Sequence, residues 1–211
     1  MTGRVSGKVA VITGAASGLG EATARLMHAE GATVLLTDIQ DDRGQRLAGE
    51  LGDRCRYQHC DVTAEPDVAH VVDTAVREFG RLDCMFNNAG IVGTHGGIDE
   101  IPLEEYEFTM AVLLRSVFLG MKHAARVMKQ QHSGVILSTT SIGGLQGGLG
   151  PHIYGAAKGA VIALTKNVAA ELGAWSIRVN AIAPGEHGRW ASRRDLVREA
   201  GRSGMPVVAD R

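Results

Sequence analysis

Residues 8–13, Lys-Val-Ala-Val-Ile-Thr, run directly into Gly14-x-x-x-Gly18-x-Gly20. A short apolar, β-branched run of this kind is predicted to be a buried parallel strand. A helical pattern follows over residues 18–30. Glycines in such a turn permit a tight bend and let backbone N–H groups approach a pyrophosphate, which then faces the positive end of the helix. Gly14, Ser17, Gly18, Leu19 and Gly20 are therefore candidate dinucleotide contacts. The spacing differs from the common Gly-x-Gly-x-x-Gly fingerprint, and a purely structural strand-to-helix turn is the alternative.

The segments beyond the turn repeat the alternation. A second strand, 33–37, ends in Asp38, about 20 residues past the loop, where a carboxylate can bind the adenosine ribose hydroxyls. Asp38 would repel a 2′-phosphate, and the glycine loop holds no Arg or Lys to compensate, so NAD is favoured over NADP. The alternative role for Asp38 is to cap a helix over 41–51. Strand 55–60 leads to Asp61-Val62, and strand 82–86 leads to Asn87-Asn88-Ala89-Gly90. Helices are predicted over 64–79, 103–131 and 152–174, and strands over 134–139 and 177–181. Strands alternating with helices imply a parallel sheet. The expected class is α/β, a Rossmann-type doubly wound sheet in three layers. Its 211 residues suit one domain spanning 1–211.

Tyr154 and Lys158 stand at i and i+4 of a helical stretch, with Ser141 upstream. Such a pair shares one helix face. A nearby ammonium favours the phenolate and lowers a tyrosine pKa towards neutrality. A serine hydroxyl aimed at the same point can hold a carbonyl or alcohol oxygen. The three are candidate catalytic residues for moving a proton on and off an alcohol. The glycine-rich stretch 143–150 lies between Ser141 and Tyr154, either as a border of the substrate site or as a connection.

In this order and at these spacings, Thr13-Gly14-x-x-x-Gly18-x-Gly20, Asp61, Asn87-Asn88-Ala89-Gly90, Ser141, Tyr154-x-x-x-Lys158 and Pro184-Gly185 resemble the short-chain dehydrogenase/reductase family over about residues 5–185. The resemblance implies pyrophosphate binding by the glycine loop, NAD selection by Asp38 and adenine contact at Asp61 and Val62. It places Asn88, Ala89 and Gly90 along the cofactor, with Pro184 and Gly185 at its nicotinamide end. It makes Tyr154 the acid/base, has Lys158 hold the nicotinamide ribose, and has Ser141 orient the reacting oxygen.

Two departures stand out. Where the family has an asparagine in a proton relay to the lysine, this chain has Leu113. After Pro184-Gly185 the family's nicotinamide-binding threonine falls at Arg189, and Gly201-Arg-Ser-Gly-Met-Pro206 follows after a short interval. The expectation is a core of 1–185, a shortened substrate-covering segment and tail over 186–211, and six strands with the usual last edge strand missing.

Composition narrows the remaining classes. The net charge of −1 argues against a nucleic-acid partner. No stretch reaches the length of a membrane span. Cys55, Cys60 and Cys84 have no metal-like spacing and suit a reduced, cytoplasmic setting, and no His, Cys, Asp or Glu cluster has metal-ligand spacing. His95 and His152 are placed on loops near the expected pocket, with His59 and the others at surface or helix positions. Ser141 lacks the Gly-x-Ser-x-Gly elbow of a hydrolase.

Three functions remain. The first is an NAD-dependent oxidoreductase interconverting a secondary alcohol and a ketone. The second is an NAD-binding homologue with little turnover. The third, a nucleotide-sugar epimerase, normally needs a larger substrate domain. Val117, Met121, Val161, Leu164 and Val168 exceed what one sheet face should need, so a homodimer through the two long helices is expected, with a tetramer less secure.

Overall fold

A computed structural model describes residues 3–185. Six parallel strands form one sheet in the order β3-β2-β1-β4-β5-β6. They are β1 (Val9–Thr13), β2 (Thr33–Asp38), β3 (Cys55–His59), β4 (Cys84–Asn87), β5 (Gly134–Thr139) and β6 (Ile177–Ile182). The helices are α1 (Gly18–Ala29), α2 (Asp41–Leu51), α3 (Glu65–Phe79), α4 (Leu103–Met110), α5 (Ser116–Gln131) and α6 (His152–Leu172). This is the doubly wound Rossmann topology, and the strand order reverses between β1 and β4. The expectations of a missing last edge strand and a shortened covering segment, and the reading of Arg189, concern residues 186–211, outside the described residues.

Strand alternation sends side chains to two cores. Val9 and Val11 of β1 and Leu35 of β2 pack with α3, α5 and α6, whereas Ile12, Val34 and Leu36 pack with α1 and α2. The central strands are buried on both faces, as their continuous apolar runs required.

Four expectations change. The predicted helix over 103–131 is interrupted by a π-helical turn at Ala111–Arg115. The strand placed at 82–86 is shifted to Cys84–Asn87, because Leu82 and Asp83 form its approach, where Asp83 accepts hydrogen bonds from Val9 and Arg81. Val117, Met121 and Val161 are at most 2% exposed and lie in the core of the chain, with Leu164 and Val168 packed against it. They are not surplus: α5 covers the sheet and also packs against α3 and α6. His152, placed on a loop, is the first residue of α6.

Candidate active site

Every motif residue within the described part stands at or beside the carboxyl edge of the sheet, where open α/β folds bind ligands. The glycine turn follows β1. Gly14 and Gly18 have positive φ, +63° and +55°, a conformation that L side chains rarely adopt. A Cβ on Gly14 would lie 2.7 Å from Ala89 Cα, and one on Gly20 would lie 2.1 Å from the Gly14 oxygen. The turn and the Asn88-Ala89-Gly90 loop are thus packed backbone to backbone at the switch point. Thr13 joins them: its hydroxyl oxygen accepts N–H bonds from Asn88 (2.9 Å) and Ala89 (3.0 Å). The Asn88 side chain donates to the Thr13 and Gly14 carbonyls and accepts from the Thr139 hydroxyl.

Ser17, the residue before α1, makes no capping hydrogen bond through its side chain. The N–H groups of the first turn, Gly18, Leu19 and Gly20, have no intrahelical acceptor by geometry and are left for an anion. A Cβ on Gly18 would meet nothing within 4 Å, so the space beside the turn is open. Leu19 is half-exposed there.

At the end of β2, Asp38 is buried, and its carboxylate is already held. One oxygen accepts the Ala16 N–H (3.0 Å) and the other accepts the Gln40 N–H (3.0 Å). This arrangement goes beyond a helix cap, because it ties the glycine loop to β2. Asp61 follows β3 and accepts the Thr63 N–H and hydroxyl, both at 2.8 Å, while Val62 packs against the larger core. This set of glycines, first-turn amides and a fixed carboxylate fits an adenine dinucleotide.

Across the switch point, Ser141, Tyr154 and Lys158 converge. Ser141 directly follows Thr140 and is buried. Its Oγ accepts the Gly143 N–H at 3.1 Å, which leaves its own proton free to donate. A Cβ on Gly143 would lie 3.5 Å from both Ser141 Oγ and Tyr154 Cε1, so the 3₁₀ turn Ile142–Gly144 brings the serine beside the tyrosine ring. Lys158 Nζ lies 5.7 Å from the centre of the Tyr154 ring and donates to the Thr139 carbonyl at 2.7 Å. Lys158 is 4% exposed, and burial lowers its pKa to about 8. The Thr140 hydroxyl anchors the lysine backbone by donating to the Lys158 carbonyl at 2.7 Å. Gly144 is required for this contact, since a Cβ there would lie 2.6 Å from Lys158 C. Beyond β6, the Pro184 carbonyl accepts the Ile142 N–H at 3.2 Å and places Pro184-Gly185 against the same turn.

Leu113 sits on the π-helical turn and is fully buried. A Cβ on Gly90 would lie 3.4 Å from its Cδ2 and 3.8 Å from Lys158 Nζ. An apolar side chain therefore borders the ammonium pocket. Thr139, Thr140 and Gly144 carry the support of this site without belonging to the motifs. Their roles arise from backbone contacts between distant strand ends, which no local pattern encodes. Of the two loop histidines, His95 is exposed and His152 begins α6. Among the described residues no group of His, Cys, Asp or Glu could hold a metal ion, and no helix is long and apolar enough to cross a membrane.

The fold and the paired sites at its switch point define a Rossmann-type, dinucleotide-binding oxidoreductase architecture. A family model described as Enoyl-(Acyl carrier protein) reductase matches residues 14–191. The chain is 50% identical over 184 residues to Tropinone reductase-like 1 of Erythroxylum coca, covering 86% of this chain and 68% of that protein. It is 47% identical over 184 residues to (+)-borneol dehydrogenase 2 of Salvia officinalis, covering 86% of this chain and 65% of the relative. The crystal structure of NAD+-bound xylitol dehydrogenase matches with a TM-score of 0.83 at 37% identity, covering 89% of this chain and 73% of that one. The chain belongs to the short-chain dehydrogenase/reductase family. It spans about two thirds of the length of the relatives it matches. Relatives named as reductases and dehydrogenases support nicotinamide-dependent oxidoreduction as its general chemistry.

Proposed function

We propose that this protein interconverts a secondary alcohol and a ketone with NAD as the cofactor. The observation that carries this reading is the convergence of Ser141, Tyr154 and Lys158 at the switch point opposite a preset Asp38. The nicotinamide, when bound, supplies the hydride acceptor or donor. Gly14, Ser17, Gly18, Leu19 and Gly20 hold the pyrophosphate. Asp38 takes the adenosine ribose diol, Asp61 and Val62 border the adenine, and Asn88, Ala89, Gly90, Pro184 and Gly185 line the remainder of the cofactor.

The proton steps belong to this chain. Ser141 donates its free hydroxyl proton to the reacting oxygen and fixes its place. Tyr154 takes the alcohol proton during oxidation and returns it during reduction. Lys158, with one N–H held by Thr139, turns its remaining N–H groups towards the ribose and favours the tyrosinate. Positioned acid/base groups of this kind contribute roughly 10²- to 10⁴-fold.

The substrate class follows from the rim. Leu145 and Leu149 lie on the stretch joining Ser141 to Tyr154, Ile91 follows Gly90, and Ile98 lies on the next loop; all are exposed. They favour a bulky apolar alcohol or ketone, in keeping with a relative named as a borneol dehydrogenase. A second reading, an NAD-binding homologue of low turnover, draws on buried Leu113 beside Lys158. An NADH fluorescence titration followed by turnover assays on cyclic and steroid-like alcohols separates the two. Binding with turnover supports the enzyme, and binding without turnover supports the alternative.

We also infer that two copies pair through the outer face of α4, α5 and α6. A groove of about 950 Å³ there is lined by Tyr106, Met110, Leu114, Phe118, Ala160 and Leu164, and includes none of the catalytic candidates. Tyr106 and Phe118 are 39% and 47% exposed. Unlike Val117 and Met121, these side chains are available to a partner.

A further inference from the structure

The far edge of the cofactor cleft carries a hydrogen-bonded set outside the family motifs. Asp38 lies opposite His59 in the β2–β3 ladder, and Leu36 lies opposite Tyr57. Residues two apart on a strand share a face, so Asp38, Tyr57 and His59 all project towards α2. Gly44 of α2 makes room for the tyrosine: a Cβ there would lie 2.0 Å from Tyr57 Cε2. With its ring seated on Gly44, Tyr57 Oη lies 2.7 Å from the Asp38 carbonyl and 2.7 Å from Asp41 Oδ1. The same Asp41 oxygen lies 2.8 Å from His59 Nδ1. The Cys60 N–H donates to the Asp38 carbonyl at 3.0 Å and closes the ladder at that point.

These contacts join the ends of β2 and β3 to the first residue of α2, and all of them surround Asp38. Tyr57 has a single hydroxyl proton, shared between the Asp38 carbonyl and the Asp41 carboxylate, both of which are acceptors. Burial, followed by the hydrogen bond to Asp41, pushes the Tyr57 pKa well up, so the phenol keeps its proton. The bond from Tyr57, followed by that from His59, holds the Asp41 carboxyl below its usual range. Asp41 therefore remains an acceptor.

We propose that Tyr57 and Asp41, backed by His59, form a clasp that positions Asp38 for the ribose diol of an adenine dinucleotide and so helps set its affinity. The proposal rests on reading Asp38 as the ribose ligand. Tyr57 is a positioning residue: it acts through the Asp38 backbone and the start of α2. Without the clasp, Asp38 keeps its Ala16 and Gln40 partners and its place in the β2–β3 ladder, but Asp41 at the start of α2 loses its side-chain tie to β3.

The test uses NADH fluorescence titration of the full chain, with thermal midpoints and steady-state kinetics measured alongside. Tyr57→Phe removes only the hydroxyl. It is expected to weaken NADH binding roughly three- to tenfold, the range for one hydrogen bond. KM for NAD should rise, while kcat and the alcohol KM hold. Asp41→Ala should weaken NADH similarly, and the double variant should lose no more than the worse single one, since both remove one unit. NADH affinity within twofold of the unmodified chain for Tyr57→Phe would overturn the clasp, even if the thermal midpoint fell. Additive losses in the double variant would also overturn it. An unmodified chain that binds no NADH would overturn the underlying dinucleotide reading and the clasp with it.

Discussion

The Lys158 ammonium donates a 2.7 Å hydrogen bond to the Thr139 carbonyl and thereby ties the end of β5 to the second turn of α6. This single contact carries a buried cation, because Leu113 borders the pocket and the ring of Tyr154 stands 5.7 Å away. Burial lowers the Lys158 pKa from 10.5 to about 8.

The consequence for stability has a definite sign. Between about pH 8 and 10.5 the unfolded chain binds more protons at this site than the folded one, so unfolding free energy rises with pH in that window. Below pH 8 the charged lysine imposes its full net penalty, on the order of 3 kcal/mol. Lys158→Met should therefore raise the thermal midpoint near pH 7 in the absence of cofactor. Its advantage should shrink as pH rises to 10.5. A pH-independent difference between the two proteins would refute this.

Leu113→Asn places an amide where the family has one. Burying it costs about 1–3 kcal/mol if it goes unpaired, so the thermal midpoint should fall. If the missing asparagine limits proton delivery to Lys158, kcat should rise; a tenfold gain corresponds to about 1.4 kcal/mol of barrier. An unchanged kcat with folding intact would mean that delivery through this position is not limiting.

Asp38→Ala should narrow the preference for NADH over NADPH. On the proposed reading it removes both the ribose acceptor and the charge that opposes a 2′-phosphate. Fluorescence titration with each cofactor reads the ratio, and equal affinities in the unmodified protein would contradict the assignment.

Much of this architecture was legible in the chain itself. The apolar run at 8–13, the glycine turn and the spacing to Asp38 foretold β1, α1 and β2 closely, because local sterics and strand burial decide all three. The parallel arrangement of the strands followed from the alternation. The supports of the site were not legible. Thr139 acts on Lys158 through a carbonyl, and any residue type carries one. The clearance at Gly44 exists only because Tyr57 packs there. The π-helical turn at Ala111–Arg115 also left no mark in the apolar periodicity. The apolar count on α5 and α6 misled for a related reason. Hydrophobic stripes reveal that a residue is buried but not what buries it, and Val117, Met121 and Val161 are buried by their own chain.

The outer groove gives the pairing inference a sharper probe. Phe118→Asp puts a charge on its exposed apolar surface, 47% exposed in the single chain. Light scattering should show a dimer for the unmodified protein at micromolar concentration and a monomer for this variant. A monomeric unmodified protein would reject the interface.

The most direct test of the account is Tyr154→Phe, with ketone turnover and NADH binding measured on the same preparation. The substitution removes one hydroxyl from a half-buried ring and leaves the glycine loop, Asp38 and Lys158 in place. The expected result is a loss of roughly 10²-fold or more in kcat, with the NADH dissociation constant nearly unchanged. Substantial turnover in Tyr154→Phe would contradict the acid/base assignment.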